Sequence, residues 1–179
     1  FKDKFTMPKY IINAGSDEFF STDSWRFYYE ELPENKLIRY VPNANHSLSG
    51  EYLTNDLVSF FYRLVNNIDL PILEWELVDG NLDVYLDYDG EYLVSIWRAL
   101  NEDGRDFRLW EEGELWTKSN MKKNENNKYN IEIENNNTGY QAIMVEFTLD
   151  QDSDFPLRIS TGPYVFPNSY PYEKYEPTK

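Results

Sequence analysis

The chain has 179 residues, 41% hydrophobic and 17% aromatic, and 17 basic against 32 acidic side chains give it a formal charge of −15. That length accommodates one domain or two small ones; the apolar content excludes a disordered acidic tail, and so negative a surface argues against nucleic acid as a partner. The lack of cysteine excludes disulfides, thiolate metal sites and a Cys nucleophile, and no apolar run approaches the ~20 residues of a membrane-spanning helix.

The first residues, Phe1-Lys2-Asp3-Lys4, lack the apolar stretch of a signal peptide. Tyr10-Ile11-Ile12 is a short apolar run that ends in Asn13-Ala14-Gly15, as a buried strand entering a loop does. Thr22 or Asp23 can cap a helix running to Leu32 and closed by Pro33, with Trp25, Tyr28, Tyr29 and Leu32 at helical spacing. Leu37 to Val41 reads as a second strand, stopped by Pro42-Asn43. After Ser49-Gly50, a helix over 51–65 would place Leu53, Leu57, Phe60, Phe61 and Leu64 on its buried face. Strand–helix–strand–helix order predicts a parallel sheet with crossover helices, and two strands predict the end of a larger α/β domain.

Charge divides near Asn66-Asn67: residues 1–67 are net −2 and residues 68–179 net −13. The second part reads as β throughout. Leu73-Trp75-Leu77 and Leu82-Val84-Leu86 alternate with polar residues around an Asp79-Gly80-Asn81 turn, and Asp89-Gly90 is a hairpin signal. Further strands are predicted at 92–98, 107–111, 129–134, 140–149 and 157–161, with a Pro- and Tyr-rich extended tail from Gly162. The expected fold is therefore α/β plus all-β: residues 1–67 form the C-terminal part of a parallel sheet, and residues 68–179 an immunoglobulin- or fibronectin-like β-sandwich.

The single histidine, His46, follows the second strand in Pro42-Asn43-Ala44-Asn45-His46-Ser47-Leu48, and Asp17 follows the first in Gly15-Ser16-Asp17-Glu18-Phe19-Phe20. Both lie past the carboxyl ends of parallel strands, where open α/β sheets place their ligands. A carboxylate beside an imidazole fixes its tautomer and stabilises the imidazolium formed when His takes a proton from a hydroxyl. α/β hydrolases carry their triad in the order Ser, acid, His; Asp17 and His46 supply the last two. No serine of the chain sits in a Gly-x-Ser-x-Gly elbow.

The segments 8–20 and 37–48 resemble the PhoPQ-activated pathogenicity-related protein family, also described as autocrine proliferation repressor-like. The resemblance continues through Trp97-Arg98-Ala99, Arg105-Asp106-Phe107-Arg108, Gly139-Tyr140-Gln141-Ala142 and Ser160-Thr161-Gly162-Pro163-Tyr164-Val165-Phe166-Pro167. It implies an α/β-hydrolase-like catalytic domain followed by a β-rich domain, in a longer, secreted or envelope-associated polypeptide whose serine lies upstream. By that resemblance Asp17 matches the triad acid and His46 the base. The partner it implies is the missing N-terminal part of the same polypeptide or an equivalent chain, with an undefined small-molecule or peptide substrate.

No cofactor or metal is called for. Asp150-x-Asp152-x-Asp154 lacks the Gly and distal Glu of a calcium loop and reads as a solvated acidic turn. Asn45-His46-Ser47 and Asn136-Asn137-Thr138 match the glycosylation pattern, though a glycan on Asn45 would obstruct His46. Trp75 and Trp97 are expected in the core, and Trp110 and Trp116 exposed. Two functions remain: the C-terminal portion of a serine hydrolase acting on an ester or amide, inactive as this chain alone, or a catalytically idle hydrolase-like scaffold with a β-sandwich that binds proteins.

Overall fold

Two-residue alternation of apolar and polar side chains dominates the chain beyond residue 70, and strands follow from it. The computed structural model describes residues 2–48, 53–134, 138–170 and 173. In chain order its strands are β1 (Lys9–Ala14), β2 (Lys36–Val41), β3 (Ile72–Val78), β4 (Asn81–Asp87), β5 (Tyr92–Asn101), β6 (Trp116–Met121), β7 (Lys128–Glu132), β8 (Tyr140–Leu149), β9 (Leu157–Ser160) and β10 (Tyr164–Phe166). Helix α1 spans Leu53–Val65, and α2 is a single turn at Leu109–Glu112.

Two antiparallel sheets carry most of the molecule. One has the order β10-β8-β5-β6, with β9 also paired to β8, and the other the order β3-β4-β7. They face each other across one core, to which β4 contributes Leu82, Val84 and Leu86, β7 Tyr129 and Ile131, β5 Val94 and Ile96, and β8 Val145 and Phe147. β4 shows how the sequence achieves this: its apolar residues are buried at every second position, and the intervening ones are not. Asp79 and Gly80 adopt left-handed backbone (φ 50° and 84°) and close the β3–β4 hairpin as a two-residue turn. Asp89-Gly90 does not make a hairpin. Neither residue is left-handed, as such a turn requires, and the chain there crosses from one sheet to the other.

The expected combination of an α/β-hydrolase-like parallel sheet with a β-sandwich is not what forms; the chain is mostly β, of all-β type. β1 and β2 do pair in parallel, Lys9 opposite Lys36 through Ala14 opposite Val41, but among the described residues they make only a two-stranded sheet. The predicted crossover helix over 22–32 is a 3₁₀ turn at Ser24–Phe27 followed by bends. Aromatic residues have weak helix propensity, so tertiary packing decides their placement. Trp25 donates its indole N–H to the Pro163 carbonyl (2.7 Å) and packs against Trp75 and Tyr164, and Tyr29 lies on Trp75. Gly162 yields the room, since a Cβ there would come within 2.3 Å of the Trp25 ring. These aromatics are gathered onto the β strands, and their cluster includes Ile38, Tyr40, Ala99, Phe107 and Trp116 from both sides of position 67.

Three further expectations change. Residues 107–111 contain the helical turn α2 in place of a strand, and β6 was not anticipated. Trp110 is exposed as expected, whereas Trp116 is buried. Helix α1 is rotated relative to its hydrophobic pattern: Asp56, Ser59 and Arg63 face inward, and Leu57 and Phe61 face solvent with Val58 and Val65. Ion pairs set that rotation. Asp56 meets the buried guanidinium of Arg39 on β2 and lies 3.5 Å from that of Arg158 on β9, while Arg63 Nη2 reaches Asp150 Oδ2 at 2.6 Å. Buried charges tolerate burial only when paired, so these pairs dictate which side of the helix turns inward.

Candidate functional site

Two loops leave the parallel pair side by side, one after β1 and one after β2. The Gly15 N–H donates to the Val41 carbonyl (2.7 Å) and the Ser16 N–H to the Ala44 carbonyl (3.1 Å), so backbone hydrogen bonds stitch the loops together. This approach demands glycine: a Cβ on residue 15 would sit 2.9 Å from the Val41 oxygen and 3.2 Å from Trp116 Nε1. Trp116 of β6 clamps both loops. Its indole donates to the Gly15 carbonyl (3.2 Å), its backbone N–H donates to Asn43 Oδ1 (2.9 Å), and its carbonyl accepts from Asn43 Nδ2 (2.9 Å). Asn43 takes left-handed backbone (φ 53°), which Asn tolerates better than most residues. The Leu109 N–H of α2 donates to the Ser16 carbonyl at 3.1 Å.

Asp17 and His46 meet on this frame. His46 Nδ1 lies 3.0 Å from Asp17 Oδ2 and 3.2 Å from Oδ1. Oδ1 also accepts the backbone N–H groups of Phe19 (2.8 Å) and Phe20 (3.1 Å), which fix the carboxylate's orientation. The neighbouring Glu18 accepts the His46 backbone N–H at Oε2 (2.9 Å). Phe19 and Phe20 flank the imidazole, with ring centroids 4.9 and 5.7 Å away, the first edge-on. The Asp17 side chain is 8% exposed and that of His46 50%.

An ionised carboxylate only accepts hydrogen bonds, so Nδ1 carries the proton and Nε2 keeps its lone pair. Among the described residues no side chain hydrogen bonds to Nε2. The arrangement can therefore accept a proton at Nε2 and stabilise the imidazolium that results. Among the described residues, no hydroxyl is hydrogen bonded to the ring to give that proton. The Ser16 hydroxyl is buried without a hydrogen-bond partner, and Ser47 Oγ donates to Asn45 Oδ1 at 2.6 Å.

The surroundings are braced by protonated phenols. Burial pushes the Tyr28 and Tyr40 hydroxyls above their ordinary range, so each stays neutral; Tyr28 accepts from Asn13 of β1 (2.6 Å), and Tyr40 of β2 from the Trp25 N–H (3.0 Å). A cleft of about 510 Å³ opens beside Asp17 between residues 17–22 and 103–108. In its wall the Arg108 side chain, hydrogen bonded to Asp106, holds that carboxyl below its usual range. The larger cleft, about 1080 Å³ between residues 29–37 and strands β3 and β4, touches neither Asp17 nor His46, so size alone does not mark the chemistry. Asp150 is engaged by Arg63 and by the Tyr88 hydroxyl (2.6 Å), while Asp152 and Asp154 are exposed. Asn136 lies outside the described residues.

The segment that carries both side chains also decides kinship. The family model for PhoPQ-activated pathogenicity-related proteins matches residues 1–108. The chain belongs to that family. As a member of the PhoPQ-activated pathogenicity-related proteins it is similar to autocrine proliferation repressor protein A of Dictyostelium discoideum, with 28% identity over 200 residues, 96% of this chain and 40% of that relative. The chain thus spans less than half the relative's length. No solved structure matches.

Sequence reasoning had singled out Asp17 and His46 but not the groups that hold them. Glu18 was visible as a second carboxylate beside Asp17, and Asn43 as the residue after Pro42 most able to turn left-handed. Trp116 carried no local signal, because its role rests on contacts 73 and 101 positions away in sequence.

Proposed function

We propose that the chain supplies the acid and base of a hydrolase that cleaves an ester or amide, the nucleophilic hydroxyl residing on polypeptide outside residues 1–179. The contact between His46 Nδ1 and a carboxylate pinned by two backbone N–H groups carries this reading. In the reaction, Nε2 takes the proton from the attacking hydroxyl as its oxygen bonds to the substrate carbonyl carbon. The imidazolium, stabilised by Asp17, then returns that proton to the leaving oxygen or nitrogen, and water repeats the cycle to release the acyl group. Half of the His46 ring faces solvent, so an added surface must also exclude water from the reaction. Membership of a family described as pathogenicity-related supports action outside the cell or in its envelope; among the described residues no helix is long and apolar enough to cross a membrane.

The test is covalent labelling by a fluorophosphonate in a polypeptide of the relative's full length that contains residues 1–179. The wild type is expected to label, and His46→Ala to lose labelling and ~10³-fold or more in kcat at nearly unchanged stability. A folded wild type that does not label would instead favour the second reading, a catalytically idle scaffold that acts by binding proteins. The similar Dictyostelium discoideum protein is named as a proliferation repressor, which fits that role.

A further inference from the structure

Strand β3 lies at a sheet edge. Among the described residues it pairs with β4 alone, and no other hydrogen bond engages its backbone. Its stretch from Ile72 to Glu76 lines the larger cleft, about 1080 Å³, whose other wall is the 29–37 segment. Acidic side chains stand on both walls: Glu30 and Glu34 on one, Glu74, Glu76 and Asp83 on the other. The four glutamates are exposed, and among the described residues none of them forms an ion pair. Glu76 sits directly opposite Asp83 across the β3–β4 ladder, a like-charge pairing that costs stability. The lysines that share the cleft are engaged elsewhere. Lys36 Nζ donates to the Tyr29 and Leu32 carbonyls (2.9 Å each), and Lys128 Nζ lies over the Tyr85 ring, 5.6 Å from its centroid. The indole N–H of Trp75, at the middle of β3, is buried without a hydrogen-bond partner among the described residues, a condition that folded proteins seldom leave.

We propose that this cleft receives an extended segment of a partner protein with Lys or Arg at alternate positions, added as a strand along the free edge of β3. The alternation follows from register. Glu74 and Glu76 lie on one face of β3, and Leu73, Trp75 and Leu77 on the other. Residues directly opposite each other in a strand pair share a face, so an added strand that sets cations against Glu74 and Glu76 carries them two positions apart. Apolar residues between those cations meet the side of the half-buried Leu73 and Trp75. Glu30 and Glu34 add negative potential from the other wall. Charge also decides against a second copy of this chain, whose β3 would bring the same glutamates; acidic residues on an edge bar that kind of pairing. Because the cleft touches neither Asp17 nor His46, strand addition here is independent of any catalysis at His46.

The probe is an acetylated and amidated hexapeptide of alternating lysine and valine, titrated by calorimetry at low salt into a polypeptide of the relative's full length that contains residues 1–179. Saturable one-to-one binding is expected, with hydrogen exchange over residues 72–78 slowed at least ~10-fold at saturation, as pairing of the edge requires. Glu74→Gln combined with Glu76→Gln should weaken binding by about 5–30-fold, the sum of two modest ion pairs. Asp152→Asn combined with Asp154→Asn removes the same charge from an exposed turn outside the cleft and should change binding by less than ~2-fold. Both double changes fall on exposed side chains, which the fold tolerates. Equal weakening by the two would overturn the proposal, since the peptide would then be drawn by net charge alone. Absence of binding, or binding that leaves exchange over 72–78 unaltered, would overturn it too. Fluorophosphonate labelling enters none of these readouts, so the failure of one reading leaves the other standing.

Discussion

His46 is the only histidine, so its proton can be located without assignment of a spectrum. With Nδ1 3.0 Å from a carboxylate oxygen that is itself held by two backbone N–H groups, the neutral ring should carry its proton on Nδ1. A hydrogen bond to a charged group contributes about 1.5–3 kcal/mol when well shielded. The Asp17 side chain is shielded and the His46 ring only half so, which reduces the preference to about 1 kcal/mol. That corresponds to roughly a fivefold excess of the Nδ1–H tautomer. Long-range ¹H–¹⁵N correlation at about pH 9, where an ordinary imidazole is neutral, distinguishes the protonated from the lone-pair nitrogen. Asp17→Ala should abolish the excess, while Glu18→Gln, which keeps an acceptor for the His46 N–H, should preserve it. A wild-type ring protonated mainly on Nε2, or a tautomer ratio indifferent to Asp17→Ala, would refute the role given to this contact.

Other substitutions probe the frame. Gly15→Ala forces a methyl to within 2.9 Å of the Val41 oxygen and should cost about 1–3 kcal/mol in urea unfolding, as overpacking does; the tautomer excess of His46 should fall with it. Asp56→Ala removes the carboxylate that faces Arg39 and Arg158 and should destabilise by about 3–5 kcal/mol, whereas Leu57→Ala on the same helix should change the 179-residue chain by less than ~1 kcal/mol; similar losses for the two would refute the observed rotation of α1. Because Arg108 lowers the Asp106 carboxyl in the fold, the stability that this group adds is present above the ordinary carboxylate pKa and fades as pH falls through the lowered value. The urea midpoint of Asp106→Asn should therefore trail the wild type at pH 6 and approach it near pH 3, and an unchanged gap would contradict the sign.

Strands β3, β4 and β7 were legible because burial there alternates at the period of two that the sequence displays, whereas β6, absent from the sequence reading, fully buries only Trp116. The site was legible in outline, since Asp17 and His46 each follow an apolar run that does become a strand. What misled was the 22–32 segment, whose aromatic spacing is compatible with a helix but whose side chains are claimed by Trp75, Tyr164 and Pro163. That contest is between a weak local preference and partners more than 40 positions away, and only the folded chain decides it. α1 misled in another way. Its five leucines and phenylalanines suggested an inward stripe, but the buried Arg39 and the half-buried Asp150 lie beyond the reach of a periodicity count, and their pairing with Asp56 and Arg63 turned the helix.

One bond pattern has a practical corollary. Trp116 sits nearly fifty residues beyond the point where charge density changes, and yet its indole and main chain grip the loops that carry Asp17 and His46. Anyone trimming this protein to an apparent minimal piece at residue 67 would retain the acid and the imidazole and discard the bolt that fixes their spacing. Chimeras with a relative should therefore exchange 1–121 as a block, since a seam drawn between His46 and Trp116 separates the tools from the vice.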